Sequence, residues 1–190
     1  MKKRLISLFL VFVTLLGILP ITTLAAPTLE EAMADVSIYG KYEPLTWLTM
    51  NGSVKTQRYN YYRYRSLETG QIKEIPAYCV DPYLQGVPVK VPDGTSIRYG
   101  ANETITDYKL MGIIGSGYPH QSLGALGLQT VEEGYYATKT AIWIYLLPTW
   151  SIDKLGINPA LTGADREAAE RVLQATKDIY WQGTMWNKMY

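Results

Sequence analysis

Between Glu133 and Asp153 the chain carries one charged side chain, Lys139, in a stretch otherwise made of apolar, aromatic and small uncharged residues. Thr130 followed three positions later by Glu133 is a capping box, and Pro148 must end any helix begun there. A helix apolar on nearly every side has to be buried, so the rest of the fold must wrap it. Tyr135, Ile142, Trp143 and Leu146 lie at i−4, i+3, i+4 and i+7 from Lys139, which puts the lysine on an aromatic and aliphatic face. A lysine so placed must snorkel to water, pair with an anion, or stay partly neutral.

The chain that wraps this helix begins with strands. Residues 36–39 and 45–50 read as short strands, the second closing at the turn pair Asn51-Gly52. Over 57–65 tyrosines alternate with Arg58, Asn60, Arg63 and Arg65. Residues 67–70 read as a hairpin turn, and 71–80 as the partner strand. Period-two alternation along 71–80 sets Ile75, Ala77 and Cys79 on one face and Ile72, Tyr78 and Val80 on the other, so Cys79 is expected to face a core. It is the only cysteine in the chain and has no intrachain disulfide partner. Free cysteine is often a small buried hydrophobe, and here it is either that or a chemically used thiol.

Prolines and glycines interrupt residues 81–100, with room for an edge strand over 87–91. Residues 107–114 suit a short helix or strand, ended by Gly115-Ser116-Gly117-Tyr118-Pro119. The glycines at 112, 115 and 117 lack the spacing of a dinucleotide loop, and no cofactor or metal site is expected. His120, the only histidine, follows in that loop. Cys79 with His120 is a conceivable thiol-imidazole pair for a secreted cysteine hydrolase. A last helix is expected over 164–181, with Thr162 and Asp165 as its capping pair. Ala168, Ala169, Val172, Leu173, Thr176 and Ile179 form its packed face, while Arg166, Glu167, Glu170, Arg171, Lys177 and Asp178 form a solvated one. The end, rich in large apolar groups, reads as a truncated product.

The first residues give the compartment. Met1-Lys2-Lys3-Arg4, an apolar run over 5–21 and Thr23-Leu24-Ala25-Ala26 have the order of a secretory signal peptide, with cleavage expected after Ala25. Residues 26–190 then form one domain, and no later segment is apolar and long enough to cross a membrane. With 18 basic and 17 acidic residues the net charge is +1, which offers no bulk attraction to nucleic acid; the arginine-tyrosine stretch therefore reads as sheet surface or a contact face.

Two segments, Tyr78-Cys79-Val80-Asp81-Pro82 and Ala137-Thr138-Lys139-Thr140-Ala141-Ile142-Trp143, resemble in order and separation the thioester (TQXA) domains of Gram-positive surface proteins. The loop over 115–119 is also similar to the family's pattern. In that family a strand cysteine is joined by an internal thioester to the glutamine of a Thr-Gln-x-Ala helix motif. The resemblance implies an α+β fold, with a β-rich body and a helical part carrying the motif. It implies an extracellular position near the tips of adhesins or pili, and a ligand on a host or neighbouring cell surface. The departure is Lys139 at the glutamine position. A lysine amine supplies no acyl carbon, so the resemblance places a pair, Cys79 and Lys139, that cannot form the family's bond. Gln129 lies nearly three helical turns upstream and is a poor substitute. An isopeptide bond from the lysine to an Asn or Asp is a further option without an indicated partner. The reading is an exported adhesin-type binding or structural module, not an enzyme. Its rivals are an active covalent adhesin with another acyl donor to Cys79, and the hydrolase.

Overall fold

Asn51 and Gly52 take φ values of 53° and 76°, the left-handed pair that a two-residue hairpin demands. They join β2 (Leu48–Met50) to β3 (Ser53–Val54), with Met50 opposite Ser53. The computed structural model describes residues 37–40, 44–81, 83 and 105–186. The expected signal peptide, the edge strand over 87–91 and the last four residues lie outside them.

Two three-stranded antiparallel sheets form the β part. One has the order β3-β2-β6, where β6 is Leu155–Ile157; the other has the order β1-β4-β5. In the second, β4 (Asn60–Arg65) runs between β1 (Ser37–Gly40) and β5 (Ile72–Pro76). The turn between β4 and β5 falls at the expected place, closed by Ser66 N–H donating to Gln71 O at 2.8 Å, with Gly70 at φ 66°. On β4 the alternating rings stack along the strand, Tyr62 on Tyr64 at 5.5 Å. Arg63 pairs across to Glu74 at 3.0 Å.

The expected partner strand is cut short. β4 starts at Asn60, so its last contact with the returning chain is Asn60 O accepting from Ala77 N–H at 2.9 Å, and Pro76 has no N–H to extend the ladder. Period-two alternation therefore does not reach Cys79. Ile75, assigned to the core face with it, is exposed.

Among the described residues, three α-helices supply most of the core. In α1 (Tyr108–Ser116), Asp107 caps the N-terminus, its Oδ1 accepting from Lys109 N–H at 2.9 Å and Leu110 N–H at 3.2 Å. Its Oδ2 accepts from Tyr145 O–H at 2.7 Å, which ties the start of α1 to the end of the next helix. That helix, α2 (Val131–Leu146), begins at the expected box: Glu133 N–H donates to Thr130 Oγ1 at 3.1 Å. The reciprocal limb goes one residue further back, Gln129 N–H donating to Glu133 Oε2 at 2.9 Å.

Glu133 is buried, and a buried carboxylate needs a cation. Arg171 of α3 (Gly163–Thr184) supplies it, with Nη2 to Oε1 at 2.7 Å and Nε to Oε2 at 3.2 Å. Arg171 thus leaves the solvated face on which its spacing set it and locks α3 onto α2. The other correction on α3 is its cap. Thr162 occupies the N-cap but its side chain makes no capping hydrogen bond, and the next residue, Gly163, has a left-handed φ of 54°. The packed face is otherwise as expected, with Ala168, Ala169, Val172, Thr176 and Ile179 buried.

Helices α1 and α3 touch backbone to backbone. A Cβ on Gly183 would lie 2.3 Å from Ile113 Cα, and one on Gly112 would lie 2.4 Å from Gly183 O. Neither neighbour is a flexible side chain that could yield. Gly183→Ala is expected to destabilise the domain by about 2–3 kcal/mol in denaturant unfolding. Gly124→Ala, at a position where an added Cβ meets nothing, should stay within ~0.5 kcal/mol of wild type.

Candidate functional site: the Cys79 segment over helix α2

Helix α2 is buried from Glu133 to Ile142. Its own polar side chains must then find partners inside the protein. Thr138 and Thr140, which flank Lys139, do this twice over. Each hydroxyl donates back along the helix, to Gly134 O and Tyr136 O, both at 2.8 Å. Each then accepts from a surrounding loop: Thr138 Oγ1 from Tyr118 N–H at 2.9 Å, and Thr140 Oγ1 from Gln57 Nε2 at 2.7 Å. The 115–119 loop lies so close that a Cβ on Gly117 would sit 2.4 Å from Thr138 Cγ2. That contact explains why glycine stands there.

The two aromatic residues one turn either side of Lys139 hold the cysteine segment. Tyr135 O–H donates to Ala77 O at 3.2 Å, and Trp143 Nε1 donates to Cys79 O at 3.0 Å. Residues 77–79 are thereby hung across the face of α2 that carries the lysine. Tyr78 reinforces the placement, its ring stacked on Tyr135 at 5.1 Å and 13° and its hydroxyl donating to Tyr118 O. The Cys79 side chain is half-buried, with Sγ donating to Asp81 O at 3.0 Å. It is not among the buried core residues, where the alternation had set it.

Lys139 is 5 % exposed. Its Nζ sits 5.3 Å from the Tyr135 ring centroid and 5.0 Å from that of Trp143. Among the described residues no carboxylate pairs with it. Neither open water nor a carboxylate answers the lysine; the faces of two rings do. Burial pulls its pKa down from 10.5 to about 8, and the nearby Cys79 acts in the opposite direction by favouring the ammonium. The neighbouring phenols stay neutral, since burial raises the pKa of Tyr78 and of Tyr135.

His120 is exposed and shares no hydrogen bond with Cys79, whose Sγ is engaged with Asp81 O. The structure does not assemble the thiol-imidazole pair. Gln129 lies before α2, exposed, with its backbone N–H on Glu133. Among the described residues no cluster of His, Cys, Asp and Glu side chains converges to hold a metal, and no helix is long and apolar enough to cross a membrane. Gln57 escaped the reading of the sequence, and the contacts of Tyr78 and Tyr118 were not foreseen, although both lie in the segments that carry the resemblance. Gln57 is 2 % exposed and uses its amide N–H on α2, while its Oε1 is buried without a hydrogen-bond partner among the described residues. Nothing in a tyrosine-rich strand entry marks that residue as internal.

An α+β fold in which a cysteine-bearing strand end is clasped to a buried helix defines the class. The thioester domain family profile matches residues 76–184, more than half of the chain and both halves of the clasp, and the chain belongs to that family. Two solved structures share the fold. The thioester domain of the Enterococcus faecium TIE86 protein is 16 % identical with a TM-score of 0.52, over 80 % of this chain and 51 % of that one. The Bacillus anthracis TIE protein is 20 % identical with a TM-score of 0.53, over 80 % of this chain and 24 % of that one. This chain thus spans about half the length of the first and a quarter of the second. No curated protein sequence matches it significantly.

The lysine has a thermodynamic signature. Its folded pKa of about 8 lies below the unfolded 10.5, so the unfolded state binds more protons between these values and stability rises with pH across that window. Below pH 8 the cost of burying the charge is fully present, about 3 kcal/mol net. Lys139→Met should therefore stabilise the domain by about 3 kcal/mol at pH 7 in urea unfolding, with the difference from wild type closing by pH ~10.5. A difference independent of pH would mean that the lysine is charged in the folded state.

Proposed function

We propose that this is an exported, cell-surface thioester-type domain that works as an attachment or structural module, with no Cys-Gln thioester at the usual place. The carrying observation is Lys139 itself, on the helix face over which Tyr135 and Trp143 hold residues 77–79, where the family motif has its glutamine. An internal thioester needs a carboxamide carbon to acylate the sulfur and release ammonia, and an amine offers none. Membership of the thioester domain family and likeness in fold to the two TIE proteins support the reading. The ligand is a molecule on a host or neighbouring cell, bound without covalent capture by this site. The order of charge, apolar run and small residues over 1–26 supports export.

Two measurements test this. Whole-protein mass spectrometry of the purified chain should give the mass of its unmodified sequence, and Cys79 should titrate as one thiol after unfolding. Lys139→Gln should then lose one ammonia and its titratable thiol, since the rest of the clasp is in place. Wild-type protein that lacks one ammonia, with a fragment linking Cys79 to a glutamine, would contradict the proposal and favour an active covalent adhesin. For export, N-terminal sequencing of protein recovered from culture should begin near Ala26; recovery only as the unprocessed chain would contradict it.

A further inference from the structure

Cys79 and Lys139 present an arrangement that a lost thioester alone does not require. The cysteine is half-buried and open on one side: Val80 and Asp81, which follow it, are exposed. The lysine is 5 % exposed and, among the described residues, has no carboxylate, carbonyl or hydroxyl partner; its Nζ is walled by two rings whose polar atoms hold the cysteine's own segment. An amine kept out of water and free of hydrogen bonds has, once deprotonated, an available lone pair, and a desolvated lysine in an apolar pocket is then a nucleophile. The thiol's segment and the amine thus share two aromatic neighbours, Tyr135 and Trp143, and Cys79 stands near enough to act electrostatically on the lysine.

We infer that the pair accepts acyl groups: Cys79 captures an acyl group from a small external thioester and passes it to Lys139 Nζ as a stable amide. This reverses the direction of the family's chemistry, in which the protein is the acyl donor. In the first step Cys79 Sγ attacks the donor's carbonyl carbon, the donor's carbon-sulfur bond breaks, and the donor thiol leaves with the proton that Cys79 gives up. In the second step the neutral Nζ attacks the same carbon, the bond to Cys79 Sγ breaks, and the sulfur takes back the proton that Nζ loses. The sum is thioester plus amine giving amide plus thiol, with no redox change. The thiol is the entry point because it is the exposed member of the pair and exchanges readily with thioesters. The amine is the end point because an amide is the more stable product. The low amine pKa of about 8 supports the second step, since a substantial part of the lysine is neutral under mildly basic conditions. One modification per molecule results.

The inference rests on Cys79 being a free thiol, as proposed above, so the experiment measures that first. Intact mass and thiol titration of the starting protein should show an unmodified chain with one thiol; a mass lacking one ammonia would overturn both readings. The protein is then incubated at pH 8 with the acetyl thioester of N-acetylcysteamine, and peptides are followed by mass spectrometry over time. Acetylation of Lys139 should outpace that of the exposed Lys73 and Lys154 of the same molecule, and should fall on the order of 100-fold in Cys79→Ser, as loss of an intramolecular step implies. Lys139→Met, which is expected to be more stable than wild type, should instead accumulate an acetyl group on Cys79 that hydroxylamine removes. Equal Lys139 acetylation with and without the thiol would overturn the relay. An acetyl group that stays on Cys79 of the wild type, with Lys139 unmodified, would overturn it as well. Either of these results on a chain with an intact thiol would leave the proposed function standing.

Discussion

A helix buried along ten consecutive residues has to satisfy every polar group it carries from within the protein, and this requirement organises the whole domain. Thr138 and Thr140 turn back on their own helix and still accept from the 115–119 loop and from Gln57. Tyr136 O–H reaches Lys55 O at 2.7 Å and accepts from Leu48 N–H at 3.2 Å, fastening β2. Glu133 pairs with the half-buried Arg171 and fixes α3. Each such bond adds only about 1 kcal/mol net, but leaving one buried group unpaired costs about 1–3 kcal/mol. The loops are consequently held where α2 needs them, and the cysteine segment is among them.

Lys139 is the exception to this economy. Every other polar side chain of α2 between Glu133 and Thr140 is answered by a hydrogen bond, whereas the lysine is answered by the faces of two rings. Cation-ring attraction recovers part of the lost hydration but not all of it. The remainder appears as a depressed pKa, which brings the neutral amine within reach of mildly basic pH. Tyr135 and Trp143 serve both members of the pair, their rings toward the amine and their polar atoms toward the backbone of residues 77–79. A change in either aromatic would therefore disturb the cysteine and the lysine together.

Much of this was legible in the sequence where one local rule governed the outcome. The Thr130 and Glu133 box, the Pro148 stop, the Asn51-Gly52 hairpin and the 67–70 turn each depend on a few adjacent residues, and each stands where those residues set it. The α+β class followed from the family resemblance. What depended on distant partners was not legible. The 71–80 strand was read too long because its end is decided by where β4 begins, not by its own alternation. Arg171 looked solvated because helical spacing shows a face, not the buried carboxylate that a long side chain can reach. Thr162 had the right identity for a cap, yet its side chain makes no capping hydrogen bond, and Gly163 after it is left-handed. Gln57 and Tyr78 carry ordinary strand-like surroundings, and only the folded chain reveals that they face α2.

The central claim is that a desolvated amine lies within electrostatic reach of Cys79. NMR titration of the labelled Lys139 side chain in the folded protein tests it most directly. A midpoint of about 8 is expected, falling further in Cys79→Ala because the sulfur favours the ammonium. A midpoint near the 10.5 of an unperturbed lysine, unmoved by loss of Cys79, would place the ammonium in water and contradict the clasp.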